Sequence, residues 1–259
     1  MTEAPRAALV TGGARRLGRA MALDLAVHGW DVAVHHNRSA AAEAAEVTAA
    51  IERLGRRAVA LRADLADEAE AAALVRRAAD GLGRPLTLLV NNASVFRYDR
   101  PETADRASWD AHMAVNLRAP LVLAQGFVAQ LPEEGTGGGL IVNLIDQRVW
   151  NLTPNYTSYT VSKAGLWALT QHLALALAPR RVRVNAIGPG VVLPAPGQDE
   201  ANLRALAEAA PLGRSTSPEE VAAALRYLID APSVTGQMIA LDGGQHLGWL
   251  TPGQTGGAR

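Results

Sequence analysis

Tyr159 and Lys163, in Tyr159-Thr160-Val161-Ser162-Lys163, put a phenol and an ammonium four residues apart. On a helix that spacing sets both on one face, close enough to interact. A free tyrosine has a pKa of about 10 and is a poor acid or base at neutral pH, but a neighbouring cation favours the phenolate and lowers that value. The pair is therefore expected to exchange a proton near physiological pH. Spacing alone leaves open a plainer account, a packed tyrosine beside a solvated lysine. Against it, Lys163 is the only lysine among 25 basic residues, so a chain that otherwise uses arginine keeps a compact ammonium at this one place.

A second set of residues suits a phosphate. Thr11-Gly12-Gly13-Ala14-Arg15-Arg16-Leu17-Gly18 follows the first apolar run and opens into a helix expected to begin around Arg19. Glycines let backbone approach a pyrophosphate, and the helix N-terminus offers it unpaired N–H groups and a partial positive charge. After the second apolar run comes Val34-His35-His36-Asn37-Arg38-Ser39. An NAD site usually carries an acidic residue there, on the ribose 2′-hydroxyl, whereas His36, Asn37, Arg38 and Ser39 suit a 2′-phosphate and predict NADPH/NADP. Alternatively, Arg38 and Ser39 only begin the next helix, with Ser39 as its N-cap. Asp64, followed by Leu65, is placed to accept from an adenine amino group, or is a turn residue. His35 and His36 are neighbours on a strand, point to opposite faces and make a poor metal pair, so no metal site is expected.

The elements that must position these groups alternate along the chain. Apolar runs at Ala7 to Val10, Val32 to His35, Ala58 to Leu61, Leu86 to Val90, Leu140 to Ile145, Val182 to Ile187 and Met238 to Leu241 read as buried strands. Between them, Ala40 to Leu54, Asp67 to Leu82, Ser108 to Gln130, Thr157 to Leu177 and Pro218 to Ile229 carry helical periodicity. This alternation predicts an α/β fold: one doubly wound Rossmann-type domain over 1–250, with a seven-stranded parallel sheet and helices on both faces. Pro132 to Gly139 reads as a surface turn, Gly188 to Gln198 as a lid over a ligand or an ordinary irregular loop, and Thr251 to Arg259 as a disordered tail.

Composition narrows the partners. The 259 residues are 49% hydrophobic and carry 25 basic against 25 acidic groups, which speaks against nucleic-acid or membrane-surface binding. With no cysteine there is neither disulfide framework nor thiolate chemistry. Met1 to Arg6 lacks the charged-then-apolar pattern of a secretory signal and no apolar stretch is long enough to span a bilayer, so a cytoplasmic protein is expected.

Thr11-Gly12 with Gly18, Asn91-Asn92-Ala93, Asn116, Tyr159 with Lys163, Pro189-Gly190 and Leu241-Asp242-Gly243-Gly244 resemble, in order and over nearly the whole chain, the short-chain dehydrogenase/reductase superfamily. The resemblance implies that Asn92 and Ala93 line the cofactor path, that Asn116 supports a water-linked proton relay to Lys163, and that Pro189-Gly190 passes near the nicotinamide. It departs at Asp146, thirteen residues before the tyrosine, where most of the superfamily has a carbonyl-polarising serine. An anion beside a carbonyl oxygen opposes a developing alkoxide, whereas a carboxyl that passes a proton to a ring nitrogen suits reduction of a C=N bond.

With Arg16-Leu17-Gly18, His36, Arg38-Ser39-Ala40, Ser94 and Phe96, this looks like the pteridine reductases and dihydromonapterin reductases. That likeness implies a pterin sandwiched between the nicotinamide and Phe96. It gives Arg16 and Ser94 polar contacts to pterin and cofactor phosphate, makes Asp146 and Tyr159 substrate-facing, and implies a homotetramer, for which Trp249 is a candidate interface residue. An NADPH-dependent pterin reductase is the expectation; the alternatives are a ketone or 3-oxoacyl reductase of the same superfamily and a non-catalytic NADP-binding sensor, against which the Asn116, Tyr159 and Lys163 set speaks.

Overall fold

The computed structural model describes residues 6–131, 138–193 and 200–248. Seven strands, β1 (Arg6–Val10), β2 (Trp30–His36), β3 (Ala58–Arg62), β4 (Leu88–Asn91), β5 (Gly139–Leu144), β6 (Val182–Pro189) and β7 (Met238–Leu241), form one sheet in the order β3-β2-β1-β4-β5-β6-β7. Every pairing is parallel, with Leu9 opposite Ala33 on β2 and Leu89 on β4. Parallel neighbours require crossovers, and eight helices supply them: α1 (Arg16–Val27), α2 (Ala41–Arg53), α3 (Glu68–Leu82), α4 (Arg106–Met113), α5 (Ala119–Ala129), α6 (Thr157–Leu177), α7 (Glu200–Glu208) and α8 (Pro218–Asp230).

Side chains of a strand alternate between faces, so β1 feeds two cores. Ala8 and Val10 pack with Met21 of α1, Val47 of α2 and Leu225 of α8. Ala7 and Leu9 pack with Leu74 of α3, Phe127 of α5 and Leu173 of α6. A strand buried on both faces has no polar side to show, which is why these runs are continuously apolar. The strand order reverses between β1 and β4, and the crevice beyond their carboxyl ends is where such a sheet receives a ligand.

Several boundaries differ from the pattern in the sequence. The segment expected as one helix from Ser108 to Gln130 is two helices joined by a π-helical stretch at Ala114–Arg118. One extra residue in a turn leaves apolar periodicity almost unchanged, yet it shifts the hydrogen-bond ladder around Asn116. α1 starts three residues before Arg19, at Arg16, whose φ of 52° is left-handed. At the next crossover Asn37 is the cap: its Oδ1 accepts from both the N–H and the hydroxyl of Ser39, which is therefore inside the turn and not its N-cap. α7 has no counterpart among the expected elements. The expected surface turn lies mostly outside the described residues, as do residues 194–199 of the expected lid, the tail and Trp249. Among the described residues no helix is long and apolar enough to cross a membrane, and no cluster of three or more His, Asp or Glu is arranged to hold a metal.

Candidate active site

The turn after β1 is locked to the loop after β4. Thr11 Oγ1 accepts from the N–H groups of Asn92 and Ala93 at 2.9 and 3.0 Å, and Asn92 Nδ2 donates back to Thr11 O at 2.8 Å. Gly12 takes φ +61°, and a Cβ at Gly18 would stand 2.1 Å from Gly12 O and 2.6 Å from Asn92 Nδ2. Only glycine closes this turn, and its closure brings backbone N–H groups and the start of α1 to one spot. The N-cap of α1, Arg15, makes no side-chain capping bond, leaving the first-turn donors to a ligand. Leu17 and Leu65 pack into the cores beneath. Arg16 donates across the cleft to Leu193 O at 3.3 Å.

Beyond β2, Asn37, Arg38 and Ser39 are exposed at the cleft edge, while His36 is buried with its Nδ1 2.8 Å from Asn37 O. Arg15, which the sequence motif did not single out, joins them: its guanidinium donates to Ser39 O and to Glu43 Oε1. Asp64 is exposed and its Oδ1 accepts from Ala66 N at 3.0 Å, the turn role. On the other side of the cleft, Pro189 pairs with Leu241, and a Cβ at Gly190 would meet Asp242 at 2.7 Å.

The acid–base groups meet where β5 ends and α6 begins. The Tyr159 hydroxyl donates to Asp146 Oδ2 at 3.0 Å, and Asp146 Oδ1 accepts from Arg148 N at 2.8 Å. Lys163 is 3% exposed, donates to Leu144 O at 2.7 Å, and lies 5.7 Å from the Tyr159 ring centre. This arrangement reverses the expected direction for the phenol. Burial first, and then the carboxylate at its hydroxyl, push Tyr159 well above the ordinary tyrosine range. Burial also raises Asp146, and it brings Lys163 down to about 8. The carboxylate, not the ammonium, is the phenol's direct partner, so Tyr159 holds its proton as a donor and shares it with Asp146.

Lys163 carries a consequence for stability. Its folded pKa of about 8 lies below the 10.5 of a free lysine, so above about pH 8 the unfolded chain binds more protons than the folded one. Stability contributed by this site therefore rises with pH through that window. Against a Lys163→Met variant, the unliganded wild type should gain up to about 1.4 kcal/mol per pH unit above about pH 8, as read by denaturant titration. A constant difference between the two would contradict the shift.

An aromatic loop walls the cluster. The side-chain amide of Asn116 clamps Val95 from both sides: Oδ1 accepts from Val95 N at 2.8 Å and Nδ2 donates to Val95 O at 2.9 Å. Nδ2 also reaches Ser162 Oγ at 3.0 Å, and Ser94 Oγ donates to Oδ1 at 3.2 Å. Next, His112 Nε2 accepts from Arg97 N, and buried Asp99 accepts from Ser158 N and Ser108 Oγ. Positions 95, 97 and 99 are thus anchored, and the alternate residues Phe96 and Tyr98 are 40% and 59% exposed. Phe96 stands edge-on to Tyr159 at 4.7 Å and stacks on Tyr156 at 4.6 Å. Tyr156 went unmarked in the sequence; it sits three residues before Tyr159, and its φ of 59° leaves no trace in composition.

A phosphate turn at the switch point of a parallel sheet, beside a buried phenol, carboxyl and ammonium, marks an oxidoreductase of the nucleotide-binding α/β class. The model of the family described as enoyl-(acyl carrier protein) reductase matches residues 12–246, and the chain belongs to this short-chain dehydrogenase/reductase family. Two solved structures are similar. One, of FolM alternative dihydrofolate reductase 1 from Brucella suis in complex with NADP, is 47% identical, covers 95% of this chain and 97% of that chain, with a TM-score of 0.89. Its counterpart from Brucella canis, also with NADP, is 46% identical over 95% and 96% of the two chains, with a TM-score of 0.88. A 3-oxoacyl-[acyl-carrier-protein] reductase of Synechocystis is 32% identical over 240 residues, 92% of this chain and 95% of its own.

Proposed function

We propose that this protein is an NADPH-dependent reductase acting on a ring C=N bond of a pterin, of the dihydropterin or dihydrofolate type. The observation that carries the reading is Asp146 Oδ2 at 3.0 Å from the Tyr159 hydroxyl, with Phe96 edge-on to the same ring. A carboxyl that shares a phenol's proton is an acid for a ring nitrogen, and a half-exposed phenylalanine offers a flat heteroaromatic ring a stacking face. The likeness to proteins described as alternative dihydrofolate reductases supports the same substrate class.

The residues present fit NADPH. Gly12 and Gly18 make a cradle that any Cβ would fill, the first turn of α1 is uncapped, and Arg15, Arg38, Asn37 and Ser39 line the corner after β2 where a 2′-phosphate needs donors. Asn92, Ala93 and Gly190 border the same cleft. When bound, NADPH supplies the hydride. The chain's own work is then to hold the heterocycle against Phe96, to keep a proton on Tyr159 at the Asp146 carboxyl, and to deliver it to the ring nitrogen next to the reduced carbon. The raised pKa of both groups keeps that proton in place at neutral pH. Lys163 holds positive charge below about pH 8 beneath the site, where it offsets the carboxylate and offers a donor to ribose hydroxyls. Arg16 and Ser94 sit at the cleft mouth as polar contacts for the substrate.

Loss of NADPH absorbance with dihydrobiopterin, dihydromonapterin and dihydrofolate, against a panel of ketones and 3-oxoacyl thioesters, tests this. Turnover with at least one dihydropterin, and kcat/KM at least about a hundredfold above any ketone, is the expected outcome. Activity confined to ketones would select the carbonyl reductase that the Synechocystis relative represents. We also propose a cytoplasmic homotetramer: Met113, Leu117, Leu121, Gly165 and Leu169 line an apolar groove of about 570 Å³ between α4, α5 and α6, suited to the same face of another copy. A monomer in sedimentation equilibrium would contradict that assembly.

A further inference from the structure

His35 is a buried imidazole, 2% exposed, that takes no part in the proton chemistry above, yet three bonds converge on it. Gly12 N donates to its Nδ1 at 3.0 Å, its Nε2 lies 3.1 Å from Ala63 O, and its backbone carbonyl accepts from Gly13 N at 2.9 Å. These contacts decide its state. Gly12 N–H is only a donor, so Nδ1 accepts and carries no proton. The ring's single proton is then on Nε2 and is donated to the Ala63 carbonyl. Ala63 thereby selects the tautomer that Gly12 requires, as an outer carbonyl orients a ligating histidine.

Its reach is the second point. Gly12 is the pivot of the phosphate turn, at φ +61°, and its carbonyl oxygen is the atom a Gly18 Cβ would strike. Ala63 directly precedes Asp64 in the turn after β3. One side chain therefore ties the pyrophosphate end of the cleft to the turn on its far side. We propose that His35, neutral and protonated on Nε2, is the positioning residue that holds the phosphate turn in the shape that receives the nucleotide. The ligand in this statement rests on the NADPH reading above. A charged ring is disfavoured here: burial brings His35 down to about 4, with His36 and Arg77 acting in the same direction and the Ala63 carbonyl and Asp64 opposing. A proton on Nδ1 would face Gly12 N–H donor to donor and release the turn.

Calorimetric binding of NADP+ and of 2′-AMP to wild type, His35→Gln and His35→Leu tests this. 2′-AMP carries the adenine and the 2′-phosphate but no pyrophosphate, so it reports the corner after β2 and leaves the phosphate turn untouched. His35→Leu should weaken NADP+ by at least about tenfold and 2′-AMP by less than about threefold, with His35→Gln, whose amide oxygen can accept from Gly12 N, in between. In the wild type the ratio of NADP+ to 2′-AMP affinity should fall between about pH 7 and about pH 5, the 2′-phosphate titration cancelling between ligands, and should stay flat in His35→Gln. Equal losses for both ligands, or NADP+ affinity and its pH dependence unchanged in His35→Gln, would overturn the proposal. If His35→Leu does not fold, the glutamine variant and the pH ratio decide it. Failure of the wild type to bind either ligand would instead remove the NADPH reading itself.

Discussion

Tyr159→Phe is expected to lower kcat by about 10² to 10⁴ while leaving the NADPH dissociation constant within about threefold. The phenylalanine ring keeps the edge contact with Phe96 and fills the same volume, so packing survives. What is lost is the one hydroxyl that bonds Asp146. Asp146 is then left without its phenol partner, and its carboxyl alone must supply the proton. Because burial already raises its pKa, some acid function remains at neutral pH, and the residual rate should fall as pH rises through that raised value. Steady-state kinetics with a dihydropterin and fluorescence titration with NADPH separate the two effects. A wild-type rate in this variant would mean that the acid lies elsewhere.

How much of this was legible beforehand depends on range along the chain. The seven parallel strands could be read because strands buried on both faces must be apolar throughout, and the Gly12 to Gly18 turn because its glycines answer a steric demand made within eight residues. The spacing of Tyr159 and Lys163 likewise survives folding, since α6 is regular from Thr157 to Leu177.

Properties created by contact between distant segments were not legible. The direction of the Tyr159 shift turns on Asp146 being nearer to the hydroxyl than Lys163 is, a matter of how β5 meets α6. The π-helical stretch that aims Asn116 at Val95, and the left-handed Tyr156 behind Phe96, are backbone choices that tertiary packing imposes on residues with ordinary propensities. The same holds for His35: adjacency to His36 invited and rejected a metal, whereas its partners, Gly12 and Ala63, lie 23 and 28 residues away.

Asp146 is where the substrate class is decided. A carboxyl here hands a proton to a nitrogen, whereas a serine hydroxyl at the same place would stabilise a developing alkoxide. Asp146→Ser keeps an oxygen near Tyr159 and, with one hydroxyl, can still cap Arg148 N, so the local turn is preserved. The decisive measurement is the ratio of kcat/KM for the best dihydropterin to that for the best ketone, in the wild type and in Asp146→Ser. The ratio should drop by at least about a hundredfold in the variant, with NADPH affinity unchanged. A variant that reduces both substrate classes in the wild-type ratio would contradict the assignment of the carboxyl as the feature that makes this site a C=N reductase.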